Sequence, residues 1–121
     1  MKRKNNPLAE KSYALALEIV HVSRMLQTEK KEYVLSKQLL RSGTSIGANI
    51  AEANGAISTA DFSSKISIAY KESLETKYWL RLLQDSEYLA DSITTDLLEK
   101  ADELSRIMFS ILKSTRINKI D

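Results

Sequence analysis

The single histidine of the chain, His21, stands three residues after Glu18. On a helix that spacing places carboxylate and imidazole on one face, the arrangement by which helical bundles hold carboxylate-bridged metal pairs. A complete site needs two such motifs and two further carboxylates, so here the second copy would have to come from a symmetry-related subunit. The competing reading, an exposed histidine beside a helical charge, needs nothing more. Nucleophilic chemistry has less to work with, because the serines and threonines have no Ser-His-Asp setting around that one histidine. Glu72, Glu75, Glu99 and Asp102 could supply an acid–base pair, yet at helical spacing they equally make a solvated, ion-paired face. There is no Gly-rich phosphate loop and, without cysteine, no thiolate zinc site. The expectation is a protein with no catalytic residues, no metal and no cofactor.

Two further groups of residues stand out. Gly43 and Gly47 lie one turn apart within Arg41–Asn49, where each glycine costs about 1 kcal/mol relative to alanine in a helix. With Ser42 and Ala48 they offer a smooth surface for close helix packing, or alternatively expose backbone to a ligand. Asn49, between Ile46 and Ile50, is a candidate buried polar group that fixes register. The second group is cationic: Lys2, Arg3, Lys4 and Lys11 near the start, and Lys113, Arg116 and Lys119 near the finish. If the two chain ends meet in space, these seven form a candidate RNA- or DNA-binding cluster, although the whole chain carries a formal charge of only +2. Basic tails also serve plain solubility.

The elements that must position these groups are helices. In 121 residues there are three glycines and one proline, with 43% hydrophobic and 28% charged residues, which disfavours sandwiches and barrels with their frequent turns. Asn6-Pro7 reads as a cap followed by proline at the first helical position. The first helix then runs to about Gln27 on a stripe of Leu8, Leu15, Ile19, Val22 and Leu26, widened by Tyr13, Leu17 and Val20. A second, roughly 31 to 55, carries Leu35, Leu39, Ile46, Ile50 and Ile57 and stops at Asn54-Gly55 in a left-handed turn. Ser58-x-x-Asp61 resembles a capping box and opens a third helix, about 59 to 86.

That third helix is apolar over too much of its circumference for one bundle. Phe62, Ile66, Ala69, Leu80 and Leu83 share one face, Ile68, Trp79 and Leu82 a second, and Tyr70, Leu74 and Tyr78 a third, which points to a face covered by another subunit. A fourth helix, about 93 to 115, carries Ile93, Leu97, Ala101, Leu104, Met108 and Ile111. Short links between long helices predict an all-α, up-down-up-down antiparallel four-helix bundle about 30 to 40 Å long. Residues 1–6 form a basic tail, 7–118 one domain and 119–121 a C-terminal tail. In that topology the basic cluster gathers at one end, while Asp85, Glu87, Asp91 and Asp96, partly offset by Lys30 and Lys31, lie at the other. Without a signal-like apolar run or a membrane span, a cytoplasmic protein is expected.

The block Gln38-Leu-Leu-Arg41-Ser-Gly-Thr-Ser45-Ile46-Gly47-Ala-Asn49-Ile50-Ala51-Glu52-Ala53 resembles the signature of a family of small helical bundles encoded in intervening sequences of bacterial 23S rRNA genes. The block from Asp61 through Phe62, Lys65, Tyr70, Lys71, Glu72, Glu75 and Tyr78 to Leu80 is similar to that family's third helix. The likeness spans about residues 8 to 115, with Gly47 where many members have proline and Ala53 where many have glycine. It implies a four-helix bundle assembled as a homopentameric ring. It also implies a link to the accessory protein of diversity-generating retroelements, and so to RNA or DNA and a reverse transcriptase as partners. The family brings no agreed catalytic residues. Its matched Arg41, Asn49, Glu52, Lys71, Glu72, Glu75 and Trp79 are therefore expected in packing and assembly, for instance with Lys71 paired to Glu75.

Overall fold

The computed structural model describes residues 6–120, with side chains described from 6 to 115. It contains α1 (Pro7–Thr28), α2 (Leu35–Asn54), α3 (Thr59–Asp85) and α4 (Asp91–Ile120), and no strand among the described residues. Each helix packs on its neighbour in sequence and α4 closes back on α1. The register is antiparallel throughout. Gln27 of α1 meets Ser36 of α2 and Ile19 meets Gly43. Arg41 of α2 meets Glu72 of α3 and Glu52 meets Lys65. Ser73 of α3 meets Ser105 of α4, and Lys77 meets Asp102. The result is an up-down-up-down four-helix arrangement.

The apolar stripes make the core: Leu15, Ile19 and Leu26 from α1, Leu39, Ile46 and Ile50 from α2, Ile66, Leu80 and Leu83 from α3, and Leu97, Leu104 and Met108 from α4 are all buried. Between them lie small hydroxyl residues, which let the helices approach and which must satisfy their own polar atoms. Thr76 donates back to the Glu72 carbonyl at 2.8 Å and shares a 3.0 Å hydrogen bond with the Ser42 hydroxyl. Ser105 donates to the Ala101 carbonyl at 3.1 Å, and its hydroxyl shares a 2.7 Å hydrogen bond with Ser73. A polar thread thus crosses α2, α3 and α4 without leaving those groups unpaired.

Helix ends follow local chemistry that the sequence shows only in part. Asn6 accepts from the Ala9 N–H at 3.1 Å ahead of Pro7, and Ser58 accepts from the Asp61 N–H at 3.0 Å. Gly55 is not left-handed: its φ is −104°, and α2 ends in tightened turns, with the Gly55 N–H reaching the Glu52 carbonyl and the Ala56 N–H that of Ala53. Ile57, in phase with the stripe but past that stop, is 94% exposed. The left-handed residues are instead Lys31 (φ 56°) and Glu87 (φ 68°). Glu87 takes the place usually held by glycine in a Schellman turn, where the Tyr88 N–H bonds to the Leu83 carbonyl at 2.9 Å and its own N–H to that of Gln84 at 3.0 Å.

The link from α1 to α2 is longer than the spacing predicts, because Tyr33 and Val34 remain outside α2 and exposed. What starts α2 is Glu32. Its buried carboxylate accepts from three backbone N–H groups, those of Val34 (3.1 Å), Leu35 (3.0 Å) and Ser36 (2.7 Å). Those are donors that a helix start otherwise leaves unpaired, and a negative charge there also complements the macrodipole. Two more positions depart from the pattern. Tyr13 and Leu17 face solvent rather than widen the core stripe of α1, and on α4 Ile93 is exposed while Leu112 is buried in place of Ile111.

Position 43 lies deep in the contact between α1 and α2. A Cβ there would stand 2.8 Å from Ile19 Cγ2 and 2.9 Å from Cγ1, whereas a Cβ at position 47 would meet Ser12 at an ordinary 3.5 Å. Gly47→Ala should therefore gain most of the roughly 1 kcal/mol of helix propensity. Gly43→Ala should lose about 1–2 kcal/mol to overpacking, with the loss relieved when Ile19→Ala is added, as urea unfolding midpoints will show. Glu32→Ala should cost about 1–2 kcal/mol by the same measurement, as the loss of a helix cap does.

Candidate interaction surfaces

Three surfaces carry the residues singled out above. At the end where α1 begins and α4 finishes, Lys113 is exposed, while Lys11 is tied to Glu103 at 2.5 Å. Lys2, Arg3 and Lys4 lie outside the described residues, as do the side chains of Arg116 and Lys119, although the backbone of α4 continues through both. The acidic group at the other end is only partly free. Asp96 bonds to Lys100 at 3.0 Å, and Asp91 accepts from Gln84 at 3.1 Å.

The second surface is an ionic cluster on the seam between α2 and α3. The Arg41 guanidinium reaches Glu72 at 3.2 Å and also bonds to Glu75. Trp79, half-buried, donates its indole N–H to Glu75 Oε2 at 2.9 Å. That indole hydrogen bond, with Arg41 adding to it against the opposing effect of burial, holds the Glu75 carboxyl below the usual carboxylate range. Glu75 is thus committed to Arg41 and Trp79, and it forms no pair with Lys71, which stays exposed. Asn49 donates to the Ser45 carbonyl of its own helix at 2.8 Å, so its amide caps a local turn and holds no second helix in register.

Apolar side chains left in solvent form the third surface. On α3, Tyr78 is 60% exposed and Leu74 42%, with Leu82 and Ile68 beside them. Tyr78 packs edge-on to Trp79 at 5.0 Å between ring centres, and half-buried Tyr70 leans on exposed Phe109 of α4 at 5.9 Å. On the α1–α2 side, Gly47 abuts Ser12 while Ala48 lies exposed and contributes nothing to that contact. Gly43 is buried against Ile19. None of these positions lines an enclosed cavity. A shallow groove of about 290 Å³ opens instead between α1 and α4, lined by Glu18, Val22, Ser92, Ile93, Asp96 and Leu97.

In that groove Lys100 bonds to Glu18 at 2.8 Å, so the carboxylate of the Glu18–His21 pair is already occupied by a cation. Among the described residues no three His, Asp or Glu side chains converge as a metal site would need, and no helix is long and apolar enough to cross a membrane.

The sequence matches the family model described as 23S rRNA-intervening sequence protein over residues 4–110. The chain belongs to that family. A solved structure of similar fold is a protein of unknown function from the S23 ribosomal protein family of Bacteroides thetaiotaomicron. It is 46% identical, with a TM-score of 0.86, and the match covers 88% of this chain and 98% of that one. No curated protein matches. The matched residues contain the Arg41–Glu72–Glu75–Trp79 cluster and reach from α1 into α4.

Sequence reasoning missed the ion pairs that join distant helices, namely Lys11–Glu103, Lys77–Asp102 and Lys100–Glu18. Spacing along one helix gives no sign of them, because each depends on the register between two. The hydrogen bond from Lys77, with its charge, also holds the Asp102 carboxyl low. For a carboxylate with a depressed folded pKa, the stabilisation is complete above its unfolded value and is lost as pH falls through the folded one. Trp79→Phe removes the leading donor to Glu75. Its unfolding midpoint should therefore fall less between pH 7 and pH 3 than that of the parent protein, and an equal fall in both would show that Glu75 gains nothing from the indole.

Proposed function

We propose that this protein is a non-enzymatic, self-associating helical bundle that holds RNA or DNA against the end where α1 begins and α4 finishes. The partition of charge carries this reading. Residues 1–6 and 113–121 contain six cations and one carboxylate, so with a total of +2 the body from 7 to 112 is net −3. Within the body, Lys11, Arg41, Lys65, Lys77, Lys100 and Arg106 are paired with carboxylates. A polyanion would be repelled by the flanks and attracted to the end where α1 begins and α4 finishes, which the two basic segments adjoin in sequence.

Self-association multiplies that effect. Exposed Leu74, Tyr78 and Leu82 favour burial against another chain, and the family resemblance implies a homopentameric ring. Parallel copies would repeat the basic tip around the ring and engage one phosphate backbone at several points. Such a ring suits service to a nucleic-acid-processing partner, a reverse transcriptase among them.

Fluorescence anisotropy of labelled RNA and DNA, at low and near-physiological salt, tests the reading. Saturable binding should weaken steeply with salt, since phosphate contacts release counterions. It should fall at least tenfold when residues 1–6 are removed and Lys113, Arg116 and Lys119 are changed to alanine. Absence of binding at low salt, or binding unchanged by those substitutions, would overturn it and leave a scaffold for a protein partner.

A further inference from the structure

We propose that self-association joins two different faces: the outer face of α3 on one copy seats on the α1–α2 face of the next. This rests on the self-association in the function proposed above and adds which surfaces meet. The α3 face is made of large side chains. Leu74, Tyr78 and Leu82 follow one another turn by turn and all remain in solvent although the bundle is complete.

The α1–α2 face is of the opposite kind. From Ser42 to Ala51, α2 has no charged residue in ten positions, although Ala48 and Ala51 are exposed and Thr44 and Gly47 half-exposed. A helix face meant for water ordinarily carries Lys or Glu there. Gly47 rests on Ser12, so this low, uncharged strip continues directly onto α1, where Tyr13 is 67% exposed. Protruding apolar side chains on one face and a smooth uncharged surface on the other are complementary in relief, as packed interfaces require.

Position and charge agree with a contact between two different sides of the bundle. Helices α1 and α3 sit diagonally in the bundle with no close approach of their backbones, so one copy can use both faces at once. That makes the interface heterologous, the kind that propagates from subunit to subunit and closes into a ring if the rotation allows. Lys71 sits three residues before Leu74 and Glu10 three before Tyr13; both are exposed and neither is ion-paired among the described residues. Seating α3 on α1–α2 brings a carboxylate to the face that carries the lysine.

The test is complementation between two damaged faces, read by light scattering. Tyr78→Glu spoils the α3 face and Ala51→Glu the α1–α2 face; both positions are exposed, and helical circular dichroism with cooperative melting verifies the fold. Leu74→Glu and Tyr13→Glu replace either variant should it fail that check. Each variant alone should fall to the mass of one chain. An equimolar mixture should double that mass and stop there, because each partner contributes one intact face. If the parent protein assembles but the mixture stays monomeric, or if Ala51→Glu leaves the parent mass unchanged, the pairing of faces is wrong and self-association stands. A monomeric parent protein would overturn both.

Discussion

The close approach of α1 and α2 governs much of this molecule. Ile19 occupies the space that any side chain at position 43 would need, so the distance between these helices is fixed at a value only glycine permits. Packing forces at that distance are large because contacts are many and voids are costly. Serine and threonine follow from the same constraint. A narrow bundle needs small residues where helices cross, and Ser42, Ser73, Thr76 and Ser105 fill those places while returning their hydroxyls to backbone or to one another. The cost of burying polar atoms is offset inside the helices that supply them.

Charge is arranged on a different principle. Most ion pairs of the bundle body join neighbouring helices and lie at the surface, where each is worth little in stability. Their larger effect is to pair six of the body's twelve cations locally. The excess of cations over carboxylates belongs to the two ends of the sequence, residues 1–6 and 113–121. Of the apolar exposure, Ile68, Leu74, Tyr78 and Leu82 share α3, whereas Val34, Ile57 and Ile93 are exposed singly, as is ordinary on protein surfaces. The basic surplus of the terminal sequences and the apolar surplus on α3 are therefore carried by different segments of the same small domain.

Much of the fold was legible because three-and-four spacing of leucine and isoleucine reports the buried face directly, and because Asn6-Pro7 and Ser58 carry their capping chemistry in adjacent residues. Legibility failed where a helix end was decided by something non-local. Ile57 keeps the rhythm of α2 beyond its last turn, and a stripe has no means of showing where the backbone stops. Glu87 adopts a left-handed conformation that its residue type does not advertise. On the surfaces, surplus apolar residues on α3 were visible as a pattern. The small residues of α2 suggest helix packing or a backbone site for a ligand, since such residues suit an inward or an outward contact equally well until the helix is placed in the bundle.

The Glu32 cap has a dynamic consequence. The first amides of a helix normally exchange their hydrogens quickly because nothing holds them, but here three are bound to a buried carboxylate. The same short segment is tied backward: the Glu32 N–H reaches the Leu26 carbonyl at 3.0 Å, Ser36 donates to the Glu32 carbonyl, and Gln27 donates to Ser36. No part of this knot can open alone. The end of α1, the link and the first turn of α2 must fluctuate as a single cooperative unit, so the longest connection in the bundle behaves as a clasp.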